Sequence, residues 1–145
     1  CGVHIGDRWQ ELSLVAQSNS DGHNLVFTDL HHILALCRTE QFDAAASHIA
    51  SMEKFAAERQ SHVALVINEV GMPLAQSILA HEKGDHDTAL DLMMAHRIFM
   101  PRLGASNAQR DLLSLYGIEM ARRAESRSLE ARLCQERAFT RGFAC

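Results

Sequence analysis

Apolar residues return along this chain every three or four positions, the spacing that lines one face of an α-helix. A first helix opens at Asp7-Arg8-Trp9-Gln10, with Asp7 as its N-cap, and Leu12, Val15 and Ala16 continue the face. Leu30, Ile33, Leu34 and Cys37 make the next stripe, after a cap at Thr28, and Phe42, Ala45, Ile49, Met52 and Ala56 the one after. Val63, Val66, Ile67, Val70 and Leu74 run up to Pro73, where Gly71-Met72-Pro73 should kink or restart the helix, because proline has no amide to donate. Ala89, Leu92, Met93, His96 and Met100 form a further face, closed by Pro101 and Gly104. Leu112, Leu115, Tyr116 and Met120 follow, and Leu129, Leu133, Cys134 and Arg137 end the series.

The polar breaks between these stripes are informative. Gly84 can take the left-handed conformation that ends a helix, and Asp85 can accept from the free amides of the next one. Ser106-Asn107-Ala108-Gln109 reads as a capping box, with Ser106 bonding the amide of Gln109 and Gln109 reaching back to the amide of Ser106. The turn Gly84-Asp85-His86-Asp87-Thr88-Ala89 also has echoes. Ala45 closes Glu40–Ala45, and Ala131 closes Ser126–Ala131, at separations from Ala89 of 44 and 42 residues. A period near 40 signals stacked helix pairs, longer than the ~34-residue tetratricopeptide unit. The three alanines are therefore expected where the two helices of each hairpin cross.

Composition narrows the class. The 145 residues suit one domain, and 47% hydrophobic content excludes general disorder. Two prolines, one tyrosine and few β-branched runs favour helix over sheet. A net charge of −4 gives no electrostatic case for nucleic acid. No apolar run is expected to reach the roughly 20 residues of a membrane span, and no secretory signal is visible. Four cysteines without CxxC spacing, of which Cys37 and Cys134 fall on apolar faces, read as reduced thiols of a cytoplasmic protein. Cys1 and Cys145, with no initiating Met, read as the ends of a segment cut from a longer chain.

Nine histidines raise the question of a metal. The best local group, His81-Glu82-Lys83-Gly84-Asp85-His86, is not an HExxH pair on one helical face, and zinc-ligand spacings are absent, so neither metal nor other cofactor is expected. There is no GxSxG elbow and no phosphate-cradling glycine loop. Cys37 beside His31 or His32 is better read as a core thiol than as a dyad. Two pairs remain as candidate binding residues. Asp29 with His31 begins the second helix; it can cap, or it can face a groove. Arg110 with Asp111 follows the capping box. Arg110 either anchors the turn by pairing with Asp29 or Glu82, or clamps a partner's carboxylate.

Several pieces occur together in order: Gly6-Asp7-Arg8-Trp9, Asp29-Leu30-His31 with Leu34-Ala35-Leu36, Gly71-Met72-Pro73-Leu74, Lys83-Gly84-Asp85-His86, Ala89, and Gly104-Ala105-Ser106-Asn107-Ala108-Gln109-Arg110-Asp111. Through them the chain resembles the C-terminal half of the tetratricopeptide repeat protein 38 family. The resemblance implies an all-α superhelix, a soluble intracellular protein, no established catalytic activity, and further helical repeats ahead of this region in longer members. His86 stands where an aromatic such as Tyr is usual, and Ala105 where a second Gly is usual.

The fold expected is thus all-α: one domain over residues 1–145, six or seven helices in tetratricopeptide-like hairpins wound into a right-handed superhelix. The function expected is a scaffold whose concave face binds a protein segment or another copy of itself. The alternative is a small-molecule-binding or hydrolytic domain in which Asp29, His31, Arg110 and Asp111 meet in one cleft.

Overall fold

A computed structural model describes residues 7–141, the last of them by its backbone alone. Cys1, Gly6 and Cys145 lie outside the described residues. Within them every regular element is helical: α1 Arg8–Ser18, α2 Val26–Arg38, α3 Phe42–Glu58, α4 His62–Glu82, α5 His86–His96, a 3-10 segment Arg97–Leu103, α6 Asn107–Arg123 and α7 Arg127–Arg141. The helices pair as hairpins α2–α3, α4–α5 and α6–α7, with α1 against α2, α4 against α2 and α3, and α6 against α5.

The three hairpin turns share one backbone design. Each first helix ends on a left-handed residue: Glu40 at φ 60°, Gly84 at φ 91° and Glu125 at φ 54°. Each of these donates to the carbonyl three residues back, and the next residue donates to the carbonyl five back. The latter bonds are Gln41 to Leu36, Asp85 to Ala80 and Ser126 to Ala121, each 2.9 Å. These are Schellman endings, which satisfy carbonyls that a helix end would otherwise leave open. Asp85 then caps α5 by accepting from the amide of Thr88 at 3.2 Å, as the sequence suggested.

That register corrects one expectation. Ala45 and Ala89 lie five residues after Glu40 and Gly84, and both are fully buried. Five residues after Glu125 is Glu130, not Ala131. Ala131 is exposed, and the half-buried Glu130 instead bonds Arg122 at 2.8 Å. The third echo was aligned one residue too far along, which on a helix is a turn of about 100° away from the crossing.

A strain test follows from the same turns. A Cβ at Gly84 would meet nothing within 4 Å, so only its backbone conformation is at stake. Gly84→Ala is expected to lower stability by about 1 kcal/mol, and Glu125→Gly to raise it by about 0.5–1 kcal/mol, since only glycine takes positive φ without penalty. Thermal melts of the two variants check both signs, and an unchanged Tm in both would refute the assignment.

Other local expectations shift by small amounts. Asp7 is the N-cap of α1 but makes no side-chain cap bond. Thr28 does not cap α2, which starts two residues earlier after an extended Leu25. Leu12 and Val15 of α1 are about half exposed, whereas Ser13 and Ala16 are buried. On α6, Leu112 and Leu115 are exposed and the buried set is Leu113, Gly117, Ile118, Met120 and Ala121. Its buried face turns toward α5, where Met93 and Met94 lie at ordinary contact distance, 3.6–3.7 Å, of a Cβ added at Gly117.

The Gly71-Met72-Pro73 break is resolved within a single helix. α4 begins as an α-helix capped by Ser61, widens to a π turn over Ile67–Gly71, and resumes at Met72. The π turn is a recognised way to fit proline into a continuing helix, because it takes up the bond that the missing amide cannot make. Gly71 is needed at this turn, since a Cβ would stand 2.6 Å from Val26 Cγ1. The expectation that no helix could span a membrane is also corrected: the 21 residues of α4 are long and apolar enough by length and composition. Half of that stretch is buried inside the fold, as in the central helix of a packed core.

Candidate functional site

A cavity of about 570 Å³ opens between α5, the 3-10 segment, α6 and α7. This lies within the roughly 300–1,000 Å³ of ordinary ligand pockets. Local sequence builds it. Pro101 stops regular helix after α5, and Gly104, in the left-handed conformation at φ 79°, turns the chain into the capping box of α6. Both predicted bonds of that box are present: the Gln109 amide donates to Ser106 Oγ at 3.3 Å, and the Ser106 amide to Gln109 Oε1 at 3.0 Å. Ile98 and Met100 of this detour and Gly117 of α6 all line the opening.

The walls are apolar and deformable: Met93, Met94, Met100, Ile98, Leu113 and Leu133. Methionine's three rotatable bonds and polarisable sulfur let such a surface repack around different shapes. Ion pairs frame it. Arg97 contacts Glu136 at 2.6 Å, and Arg137 grips Asp111 with two bonds of 2.8 and 2.9 Å. Among the described residues Arg110, also in the lining, bonds neutral oxygens, the Ala105 carbonyl and Asn107 Oδ1. The sequence reading offered Asp29 or Glu82 as its anchor. Neither pairs with it, because the side chain folds back over its own helix start, within reach of the loop carbonyl. Glu82 instead accepts from Tyr116 Oη at 2.7 Å and from Arg38 at 3.4 Å.

Asp29, His31, Arg110 and Asp111 do not share a cleft. Arg110 and Asp111 line the cavity, and Asp29 and His31 are not part of its wall. Asp29 is buried and bonded to His23 and His48. His31 bonds the Phe27 carbonyl at 2.8 Å and stacks on the Phe27 ring, so it is a helix-surface contact of α2. Cys37 is a buried thiol pushed up to about 12 by burial and by the nearby Glu82 carboxylate, which removes it as a nucleophile.

The turn at Gly84 ends the helix between His81 and His86 and folds His86 back until the two Nδ1 atoms lie 3.1 Å apart, one donating and one accepting. Burial, with a lesser contribution from His86, lowers the His81 pKa, against the raising influence of Glu82 and Glu119. A depressed folded-state value means that the unfolded chain takes up the proton first. Stability is therefore expected to be intact above about 6.5 and to fall as pH drops below it. Tm recorded between about pH 7.5 and pH 5 should decline, and His81→Gln should flatten the decline. An equally steep decline in His81→Gln would rule out this residue as the cause.

Compared with known proteins, the chain matches no protein-family model and no solved structure.

Proposed function

We propose that this chain is a helical-repeat scaffold that captures an apolar protein segment carrying an acidic group, and that its hairpins continue into a right-handed, tetratricopeptide-like superhelix. The methionine-lined cavity, with Arg110 at its wall and no ion pair to it from a carboxylate among the described residues, is the observation that carries this reading. Apolar side chains of the partner would fill the space over Gly117 and Leu113, while its carboxylate meets the Arg110 fork. Asp111 serves indirectly, by fixing Arg137 and so the far wall. The three equivalent turns and the resemblance to the tetratricopeptide repeat protein 38 family support the superhelix. The reduced-thiol reading of Cys37 and Cys134 supports a cytoplasmic setting. A second copy of the chain is the other candidate occupant.

The test uses two variants of the cavity wall. Ser114 is exposed and lines the opening, so Ser114→Trp fills it without touching the core. Affinity capture with the wild-type chain, read by mass spectrometry, is expected to retain partners that both Ser114→Trp and Arg110→Ala lose. Arg110→Ala should leave Tm within about 0.5 kcal/mol equivalent of wild type, as for surface substitutions generally. Identical capture by all three proteins would refute the proposal.

A further inference from the structure

A second group of residues stands apart from the cavity, and nothing in the scaffold reading uses it. His23 lies in the loop before α2, Asp29 in the first turn of α2, and His48 in the middle of α3. Their side chains are 0%, 4% and 1% exposed. His23 Nδ1 and His48 Nε2 lie 2.9 and 3.0 Å from the same Asp29 oxygen, and one ligating atom from each residue falls within 4.8 Å of the others. From this geometry we infer that His23, Asp29 and His48 form a buried binding site for a divalent metal ion of the zinc class, which pins the α1–α2 loop, α2 and α3 together.

The donor set fits. Two imidazole nitrogens and a carboxylate oxygen are ligands that zinc takes in proteins. The surroundings fit as well, through a count of protons. His23 Nε2 is 2.9 Å from Ser51 Oγ, and Ser51 Oγ is 3.1 Å from Asp21 Oδ1. A neutral imidazole carries one N–H. If that proton sits on Nδ1 and faces Asp29, then Nε2 must accept, and the single hydroxyl proton of Ser51 has to serve both Nε2 and Asp21. A metal ion on Nδ1 removes the conflict. The proton then sits on Nε2 and donates to Ser51, whose hydroxyl donates to the Asp21 carboxylate at the surface. Metal-bound histidines characteristically donate their other N–H in this way, which fixes tautomer and ring orientation.

A third observation is independent of that chain. Asp29 Oδ2 is buried and has no hydrogen-bond partner. Buried polar atoms are almost always satisfied, and a carboxylate that binds an ion through both oxygens gives this one its partner. Nδ1 of His32, set edge-on to His48 with ring centroids 5.5 Å apart, and Nδ1 of His48 itself are also buried and unpartnered. His32 is not among the atoms gathered within 4.8 Å, so the ligand set is His23, Asp29 and His48. Because the ligands are sealed from solvent, the ion would hold structure and not meet substrate.

The experiment uses the full purified chain, stripped with chelator and then titrated with zinc, and in parallel with cobalt(II). One ion per chain is expected, with visible cobalt d–d absorption. Tm should rise by about 5–10 °C once free zinc exceeds its Kd by roughly a hundredfold. His48→Gln and Asp29→Asn should lose both the ion and the shift, and His86→Gln, at the unrelated His81 contact, should keep both. If Asp29→Asn does not fold, His48→Gln and the wild-type cobalt spectrum decide. A Tm indifferent to zinc and chelator, a featureless cobalt spectrum, or unchanged binding in His48→Gln would each overturn the inference. None of these readings depends on capture of a partner at the cavity, so the two proposals stand or fall separately.

Discussion

Ala89→Leu is expected to lower stability by about 1–3 kcal/mol, the usual cost of forcing extra methylenes into a filled core. Ala89 is fully buried where α5 crosses α4. Its carbonyl accepts a 2.7 Å bond from Ser77 Oγ, which also lies 3.6 Å from Met120 Sδ on α6. Three helices therefore meet at this one point, and a leucine side chain must push α5 away from the serine that holds it. The control is Ala95→Leu, on the exposed side of the same helix, where the added methylenes have room. Chemical denaturation of both variants tests the idea. A loss at position 89 no larger than at position 95 would show that the crossing is not close-packed.

Features that depend on a few neighbouring residues were legible in the sequence. Gly84 was recognisable because a glycine followed by a capping aspartate leaves few backbone choices. The Ser106–Gln109 box was recognisable because both of its bonds lie within one turn. Ala45 and Ala89 followed from the distance to those turns. Neither Glu40 nor Glu125 gives the signal that glycine gives at Gly84, although both take the left-handed conformation; Ala45 was aligned in register without it, and Ala131 was not. The faces of α1 and α6 failed because each carries two apolar stripes, and only the neighbouring helix decides which is buried.

The candidate sites were legible only in part. Arg110 and Asp111 line the opening without Asp29 and His31, and their own partners were not legible, since Arg137 is 26 positions away and Arg110 turns back on its own loop. The Asp29 cluster was missed because its histidines sit 6 and 19 residues away, on a loop and on another helix. No spacing rule for zinc sites covers that arrangement. The available signal was compositional: nine histidines in 145 residues, two of them brought onto Asp29 by the loop before α2 and by α3.

Arg137→Ala is expected to have the largest effect on stability, a loss of about 2–4 kcal/mol. Arg137 and Asp111 are only 14% and 13% exposed and are joined by two parallel bonds of 2.9 and 2.8 Å. An exposed pair contributes at most about 1 kcal/mol. Removing one partner of a buried pair costs more, because the remaining charge is left in a poor solvent without its counter-ion. The pair also ties α7 to α6 away from their shared turn, so its loss frees α7 to peel back and opens the cavity wall. Arg137→Lys should recover little, since an ammonium cannot reproduce the two-pronged fork. Both residues make further contacts, so the pair's own share needs a double-mutant cycle with Asp111→Asn. The double variant should be less destabilised than the sum of the singles by about 1 kcal/mol or more, because removing both charges leaves neither one stranded. Additive losses, or a single-variant loss below about 0.5 kcal/mol, would mean that α7 is held by Leu133 and its apolar neighbours alone.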